Sequence, residues 1–347
     1  MDEKELAAFL QNYNGRPLRL MEVCGTHTSA LYRTGLRQLL SKKITLVSGP
    51  GCPVCVTPTA YIDKLVEFAF EPGYRVMTFG DMLAVPGSRM SLAEARDRGG
   101  AADFFYAPEE MLKRAAAHPE TTYVLATVGF ETTAPVWATI IKEAAARDIK
   151  NLKFLTALKT MPQALSFLCG QGKIDGFLCP GHVAVITGSE PYSRLAEEFG
   201  ETMVIGGFSR SLLLRALTRL VLESSRSHTG MWNEYPSVVK PEGNPAARQI
   251  LDEVFAAGDA AWRGIGVLKG SGLYIKEKYR DWDAGSRGLD EDAVPKGCLC
   301  SRIVLGAALP GQCPYFGKGC TPEHPVGACM VSSEGTCCIT YREGNDV

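Results

Sequence analysis

The chain has 347 residues, enough to bury a large core and to divide into two or three domains. Its 37 basic and 38 acidic side chains leave a formal charge of −1, so no general electrostatic force draws it to nucleic acid or an anionic membrane. A hydrophobic fraction of 46% against 22% charged excludes a disordered chain, and no apolar run reaches the roughly 18 residues of a membrane span.

The start, MDEKELAAFL, reads as a short amphipathic helix and lacks the basic flank and apolar run of a signal peptide. The expectation is a soluble, cytoplasmic protein. In a reducing compartment twelve cysteines point to metal binding or redox chemistry rather than to a disulfide framework.

Strand-like and helix-like runs then alternate. LRLMEV leads through CGTHT into SALYRTGLRQLL, and KITLV leads through SGPGCPVCVTP into TAYIDKLVEFAF, before YRVMTF runs into GDMLAVPGS. A similar order recurs. TYVLATV, GFETTAP and VWATIIKEAAA are followed by KFLTAL; IDGFL, CPGHVAVITG and PYSRLAEEF are followed by TMVIGGF and the long SRSLLLRALTRLVLES. The pattern predicts an α/β fold with two related, open parallel-sheet domains, over residues 1–118 and 119–224. From residue 225 the chain becomes turn-rich, with one short helix, AARQILDEVF, and a cysteine-rich tail. A third, smaller Cys-rich domain over 225–347 is expected.

Ligands of open α/β sheets bind at the carboxyl ends of the strands, and CGTHT, GPGCPVC, GDML, GFETT and PGHV all fall at such ends. Cys52 and Cys55 form a C-P-V-C pair that can close into a disulfide, bind a metal or cap a loop. Cys24, with His27 three residues on, suits iron or zinc, although a cysteine at a strand end also reads as a packed small residue. Asp81 and Glu131 read as helix-capping carboxylates or as proton-handling groups, and His182 as a hydrogen-bonded edge histidine or a proton carrier. Cys169 and Cys179 sit in apolar contexts and read as core. Seven cysteines (Cys298, Cys300, Cys313, Cys320, Cys329, Cys337 and Cys338) crowd the last fifty residues. Four thiolates gathered there by Gly/Pro turns fit either tetrahedral zinc or a [4Fe–4S] cluster.

Taken together, CGTHT, GPGCPVC, GDMLAVPGS, GFETTAP, PGHVAVITG and CTPEHPVGACMVSSEGTC resemble the HypD family of [NiFe]-hydrogenase maturation factors. The likeness runs from Cys24 to Cys338; Ser301 departs from it, standing where a glycine is expected after the C-x-C. The resemblance implies a scaffold for the iron moiety Fe(CN)₂CO that works with a HypC-type chaperone and accepts cyanide from a HypE-type carrier. Any turnover is expected only in that complex. It also implies a [4Fe–4S] cluster in the third domain.

Carried over by motif, Cys24 is the iron-binding thiolate and Cys52 and Cys55 are the dithiol/disulfide pair. Cys313, Cys320, Cys337 and one of Cys298 or Cys300 hold the cluster. His27, Asp81, Glu131, His182 and Glu334 are polar helpers around the cleft. Electrons would pass from the cluster through Cys52/Cys55 to the iron. The rival expectation is a free-standing thiol–disulfide oxidoreductase with a structural zinc; a third is a hydrolase or transferase using Cys24 and His27 as nucleophile and base.

Overall fold

The structure is a computed structural model and describes residues 2–344. Its strands are β1 (Leu18–Glu22), β2 (Ile44–Ser48), β3 (Tyr74–Thr78), β4 (Ala102–Phe104), β5 (Thr122–Gly129), β6 (Leu152–Lys159), β7 (Gly176–Pro180), β8 (Thr202–Gly206), β9 (Gly230–Asn233), β10 (Phe255–Trp262) and β11 (Gly266–Ile275). They form two sheets. The first, in the order β2-β1-β7-β8-β9, is parallel throughout. The second, β10-β11-β6-β5-β3-β4, is parallel from β6 to β4 and carries an antiparallel hairpin, β10–β11, against β6. The fold is therefore α/β with mixed topology and a cysteine cluster near the C-terminus.

The strands interleave along the chain. After β2 the backbone crosses to the second sheet, lays down β3 to β6, and returns to the first sheet at β7. Each sheet thus draws strands from both 1–118 and 119–224. The turn-rich stretch after residue 225 supplies β9 to the first sheet and the hairpin to the second. Composition hid these strands: β9 is four residues long and half-buried throughout, and β10 is rich in alanine and glycine instead of β-branched residues.

Alternating side chains explain how the sheets pack. In β1 Met21 joins an inner core while Leu18 and Leu20 join an outer one; in β5 Val124, Ala126 and Val128 point inward and Tyr123 and Leu125 outward. The inner core is continuous across both sheets and the tail, since Met21, Val47, Leu155, Ile303 and Met330 all belong to it. Helices cover the outer faces. Helix Glu3–Gln11, begun by an Asp2/Glu5 capping box, buries Leu6 and Leu10 in the outer core it shares with Leu213, Leu217 and Leu220 of helix Arg210–Ser225. Each such leucine contributes about 1.5–3 kcal/mol of burial. Among the described residues no helix is long and apolar enough to cross a membrane.

Candidate functional site

Parallel strands send their carboxyl-end loops the same way, and here the loops of the two sheets meet the cysteine-rich tail. Cys24 lies two residues past the end of β1 and starts helix Gly25–Arg33 from an extended conformation. Its N–H donates to Glu22 Oε2 at 3.0 Å, and the Thr28 hydroxyl donates to the other oxygen of that carboxylate. Burial pushes the Cys24 thiol up to about 12, with Glu22 and Glu334 acting in the same direction. Burial likewise raises the Glu22 carboxyl to about 7. A thiol held this high stays protonated until a cation displaces the proton.

Cys52 and Cys55 are joined as a disulfide, Cα to Cα 5.3 Å, and both are buried. Three glycines let this turn interlock with its neighbours. A Cβ on Gly51 would lie 2.4 Å from the Cys24 nitrogen; one on Gly25 would lie 2.6 Å from Glu334 Cβ. A Cβ on Gly335 would lie 2.3 Å from the Cys329 carbonyl oxygen and 3.1 Å from Cys55 Sγ. Only glycine permits such approaches. The Gly25 N–H also donates to the Gly51 carbonyl at 3.1 Å. A cavity at this junction is lined by Thr28, Cys52, Cys55, Cys329, Glu334 and Thr336.

Polar groups surround the junction. His27 is fully buried, and its Nε2–H donates to the Gly206 carbonyl at 3.2 Å, which leaves Nδ1 as a lone pair without a partner. Phe208 stacks on His27 at 4.6 Å and on His182 at 3.7 Å between centroids. Burial lowers His27 to about 4 and also lowers His182, so both rings favour the neutral form. Glu334 accepts from the Thr26 hydroxyl; burial raises its carboxyl, and Asp81, in the turn Gly80–Ala84, raises it further.

Glu131 has a capping role: its Oε1 accepts the Met161 N–H at 2.9 Å, in the first turn of helix Met161–Cys169. Its Oε2 has no partner, and burial lifts the carboxyl to about 7. The buried Tyr192 hydroxyl is raised by desolvation first and then by Cys179, Glu131 and Cys24. Cys169 and Cys179 are buried core residues.

A second cavity is lined by six thiols, from Cys298, Cys300, Cys313, Cys320, Cys329 and Cys337. The Cys300 and Cys329 sulfurs lie 2.8 Å apart, and the Val326 N–H points at Cys320 Sγ over 3.3 Å. Such an all-sulfur donor set fits the ligand demand of an iron–sulfur cluster. Among the described residues no three His, Cys, Asp or Glu side chains converge as a single-ion site. Cys338 is buried elsewhere, outside this cavity.

Sequence reasoning placed Cys313, Cys320 and Cys337 here with one of Cys298 or Cys300; the structure turns both of the latter to the cavity and adds Cys329. Among the described residues Cys329 alone lines both cavities. Sequence reasoning groups it with the seven tail cysteines without a ligand role, and its neighbours in space single it out. Glu22 was missed as well, though a glutamate ending an apolar strand two residues before Cys24 was a visible signal. Phe208 and Tyr192 carried none.

A family model described as "HypD: Hydrogenase formation hypA family" matches residues 3–344. The chain is 40% identical over 329 residues to a protein of Methanocaldococcus jannaschii whose name refers to hydrogenase expression and formation, covering 94% of this chain and 92% of that protein. It is 39% identical over 347 residues to the hydrogenase maturation factor HypD of Escherichia coli, covering 98% and 92% of the two chains. Against HypD of Rhodobacter capsulatus the identity is 37% over 341 residues, covering 95% and 90%.

Proposed function

The chain belongs to the HypD family, and on that premise we propose that it is a cytoplasmic scaffold on which the Fe(CN)₂CO moiety of [NiFe]-hydrogenase is assembled. The iron is cargo. It is held by the Cys24 thiolate together with a HypC-type chaperone, and its cyanide arrives from a HypE-type carrier. The observation that carries this reading is the packing of the disulfide turn against Cys24 through Gly51 and against the tail through Gly335.

Each residue has a task that follows from its surroundings. Cys24 gives up a proton when it takes the iron, and Glu22, one hydrogen bond from its backbone and close to neutrality in its affinity for protons, stands ready to receive it. Thiolate sulfur suits low-spin iron carrying cyanide and carbon monoxide. His27, neutral and with its proton committed to Gly206, keeps a free Nδ1 lone pair in the buried site. Asp81, Glu334 and His182 are the polar helpers at its margins, and Glu131 holds a helix while retaining one unpaired oxygen.

The Cys52–Cys55 disulfide opens with two electrons and two protons to give two thiols, so the pair stores reducing equivalents in twos. The residues that would hold a [4Fe–4S] cluster are Cys313, Cys320, Cys337 and one of Cys298, Cys300 or Cys329. When bound, such a cluster supplies electrons singly. Cys329, lining both cavities, stands between the two stores.

The test is anaerobic purification of the chain with a HypC-type chaperone, followed by infrared spectroscopy. Nitrile and carbonyl stretches with a brown, iron-containing protein are expected. A colourless protein that contains zinc and shows no such bands would favour a free-standing thiol–disulfide oxidoreductase instead.

A further inference from the structure

The tip of the β10–β11 hairpin, Trp262-Arg263-Gly264, carries none of the motifs read from the sequence, yet it touches most of the loops that do. Trp262 stacks on Phe130, the residue before Glu131, at 5.8 Å. The Arg263 N–H donates to the carbonyl of Val56, the residue after Cys55, at 2.8 Å. Its Nη2 donates to the Pro86 carbonyl at 2.6 Å, and its Nε lies 3.5 Å from Asp292 Oδ1. Gly264, at φ +75°, lies so close to Ser301, the residue after Cys300, that a Cβ would come within 2.6 Å of its hydroxyl oxygen.

Asp292 completes the arrangement. Its Oδ2 accepts the Gly264 N–H at 2.8 Å, and its Oδ1 accepts the Thr59 N–H at 3.3 Å, where helix Thr59–Phe70 begins. The Ala60 N–H adds a bond to the neighbouring Glu291 carbonyl at 3.1 Å. The segment leaving Cys55 is therefore held at Val56 by the backbone N–H of Arg263, whose side chain is anchored on Pro86 and Asp292, and at Thr59 by the Asp292 carboxylate. The Arg263 and Asp292 side chains are only 3% and 17% exposed, so this ion pair is little screened by solvent.

We propose that the Arg263–Asp292 pair is a positioning device for the Cys52–Cys55 couple. It fixes the exit of the redox turn, so that the two thiols stay within bonding reach after reduction. The inference rests on the redox role proposed for that pair. The step itself is balanced: the S–S bond breaks, two electrons and two protons come from a dithiol reductant, and two thiols form. Closing the bond again depends on the effective concentration of one thiol at the other, which a fixed turn keeps high. Releasing the turn lowers it and makes the disulfide easier to reduce.

The experiment equilibrates the full-length chain anaerobically in a series of dithiothreitol redox buffers. Differential alkylation and mass spectrometry of the Cys52/Cys55 peptide then report that pair alone, apart from the tail thiols. Arg263→Gln and Asp292→Ala should each lower the equilibrium constant for disulfide formation roughly tenfold, equivalent to about 30 mV for a two-electron couple. The double variant should fall no further than either single one, and Arg263→Lys should recover part of the loss. If Arg263→Gln does not fold, Asp292→Asn carries the same test, because it removes the charge and keeps the size. Variants that lose thermal stability yet keep the wild-type constant within twofold overturn the clamp and leave the redox role standing. A wild-type pair that never opens in these buffers overturns both.

Discussion

Thr26 and Glu334 stand 308 residues apart in the chain and are joined by a hydrogen bond of 3.1 Å, hydroxyl to carboxylate. That bond, with the glycine contacts on either side of it, ties the loop after β1 to the cysteine-rich tail. The Cys24 loop, the disulfide turn and the thiol-lined tail are therefore one packed unit, and disturbing any seam should be felt in the others.

Gly335, crowded by its own tail and by the disulfide turn, offers a direct probe of the seam. Gly335→Ala places a methyl 2.3 Å from the Cys329 carbonyl and 3.1 Å from Cys55 Sγ. The forced shift should cost about 1–3 kcal/mol in urea unfolding. Gly80→Ala, where a methyl meets nothing within 4 Å, is the control and should stay within about 0.5 kcal/mol of the parent. Equal losses at the two positions would contradict the packing described.

Glu131 makes stability depend on pH in a stated direction. Burial raises its carboxyl from 4.5 to about 7, so the folded state holds its proton more tightly than the unfolded chain does. The stabilisation this brings is complete below pH 4.5 and is lost as the pH rises through about 7. Between those limits the wild-type chain should lose about 3 kcal/mol more than Glu131→Gln in denaturant unfolding. Parallel pH profiles for the two proteins would refute the assignment.

Phe208 keeps the buried His27 imidazole dry, while His182, which also stacks on it, is exposed. Removing its ring in Phe208→Ala should let water reach His27 and raise it from about 4 toward the ordinary 6.5, with His182 moving the same way. Imidazole proton shifts followed by NMR across pH 4 to 8 would register the change. A His27 that still does not titrate above pH 5 would show that the ring plays no part in its burial.

Thiol placement separates two adjacent cysteines. Cys337 lines the six-thiol cavity and Cys338 does not. Serine at Cys313, Cys320 or Cys337 should abolish absorbance near roughly 400 nm and lower iron content, whereas Cys338→Ser should keep both. Loss of the chromophore from Cys338→Ser alone would misplace the site.

Much of this was legible in the residues. β5, β7 and β8 are buried on nearly every side chain, and parallel strands covered on both faces leave continuous apolar runs that are easy to see. The candidate loops stood out because glycine, proline and isolated polar residues mark where such runs end. Strand partners were not legible. A helical crossover can return to either of two sheets, and nothing local in TYVLATV or IDGFL says which. The β10–β11 hairpin was hidden by its small residues, although its tip buttresses the disulfide turn. Cys329 shows the same limit at a single position, because a core cysteine and a cavity-lining one have the same neighbours in sequence.

Cys24 is where the account is most exposed. Substituting Cys24→Ser in the complex with a HypC-type chaperone, purified without oxygen and examined by infrared spectroscopy, removes the proposed iron ligand while sparing the disulfide and the thiol cavity. The nitrile and carbonyl bands should vanish, with the tail's iron content and the Cys52–Cys55 couple unchanged. Bands of undiminished intensity in that variant would mean the iron is held somewhere else.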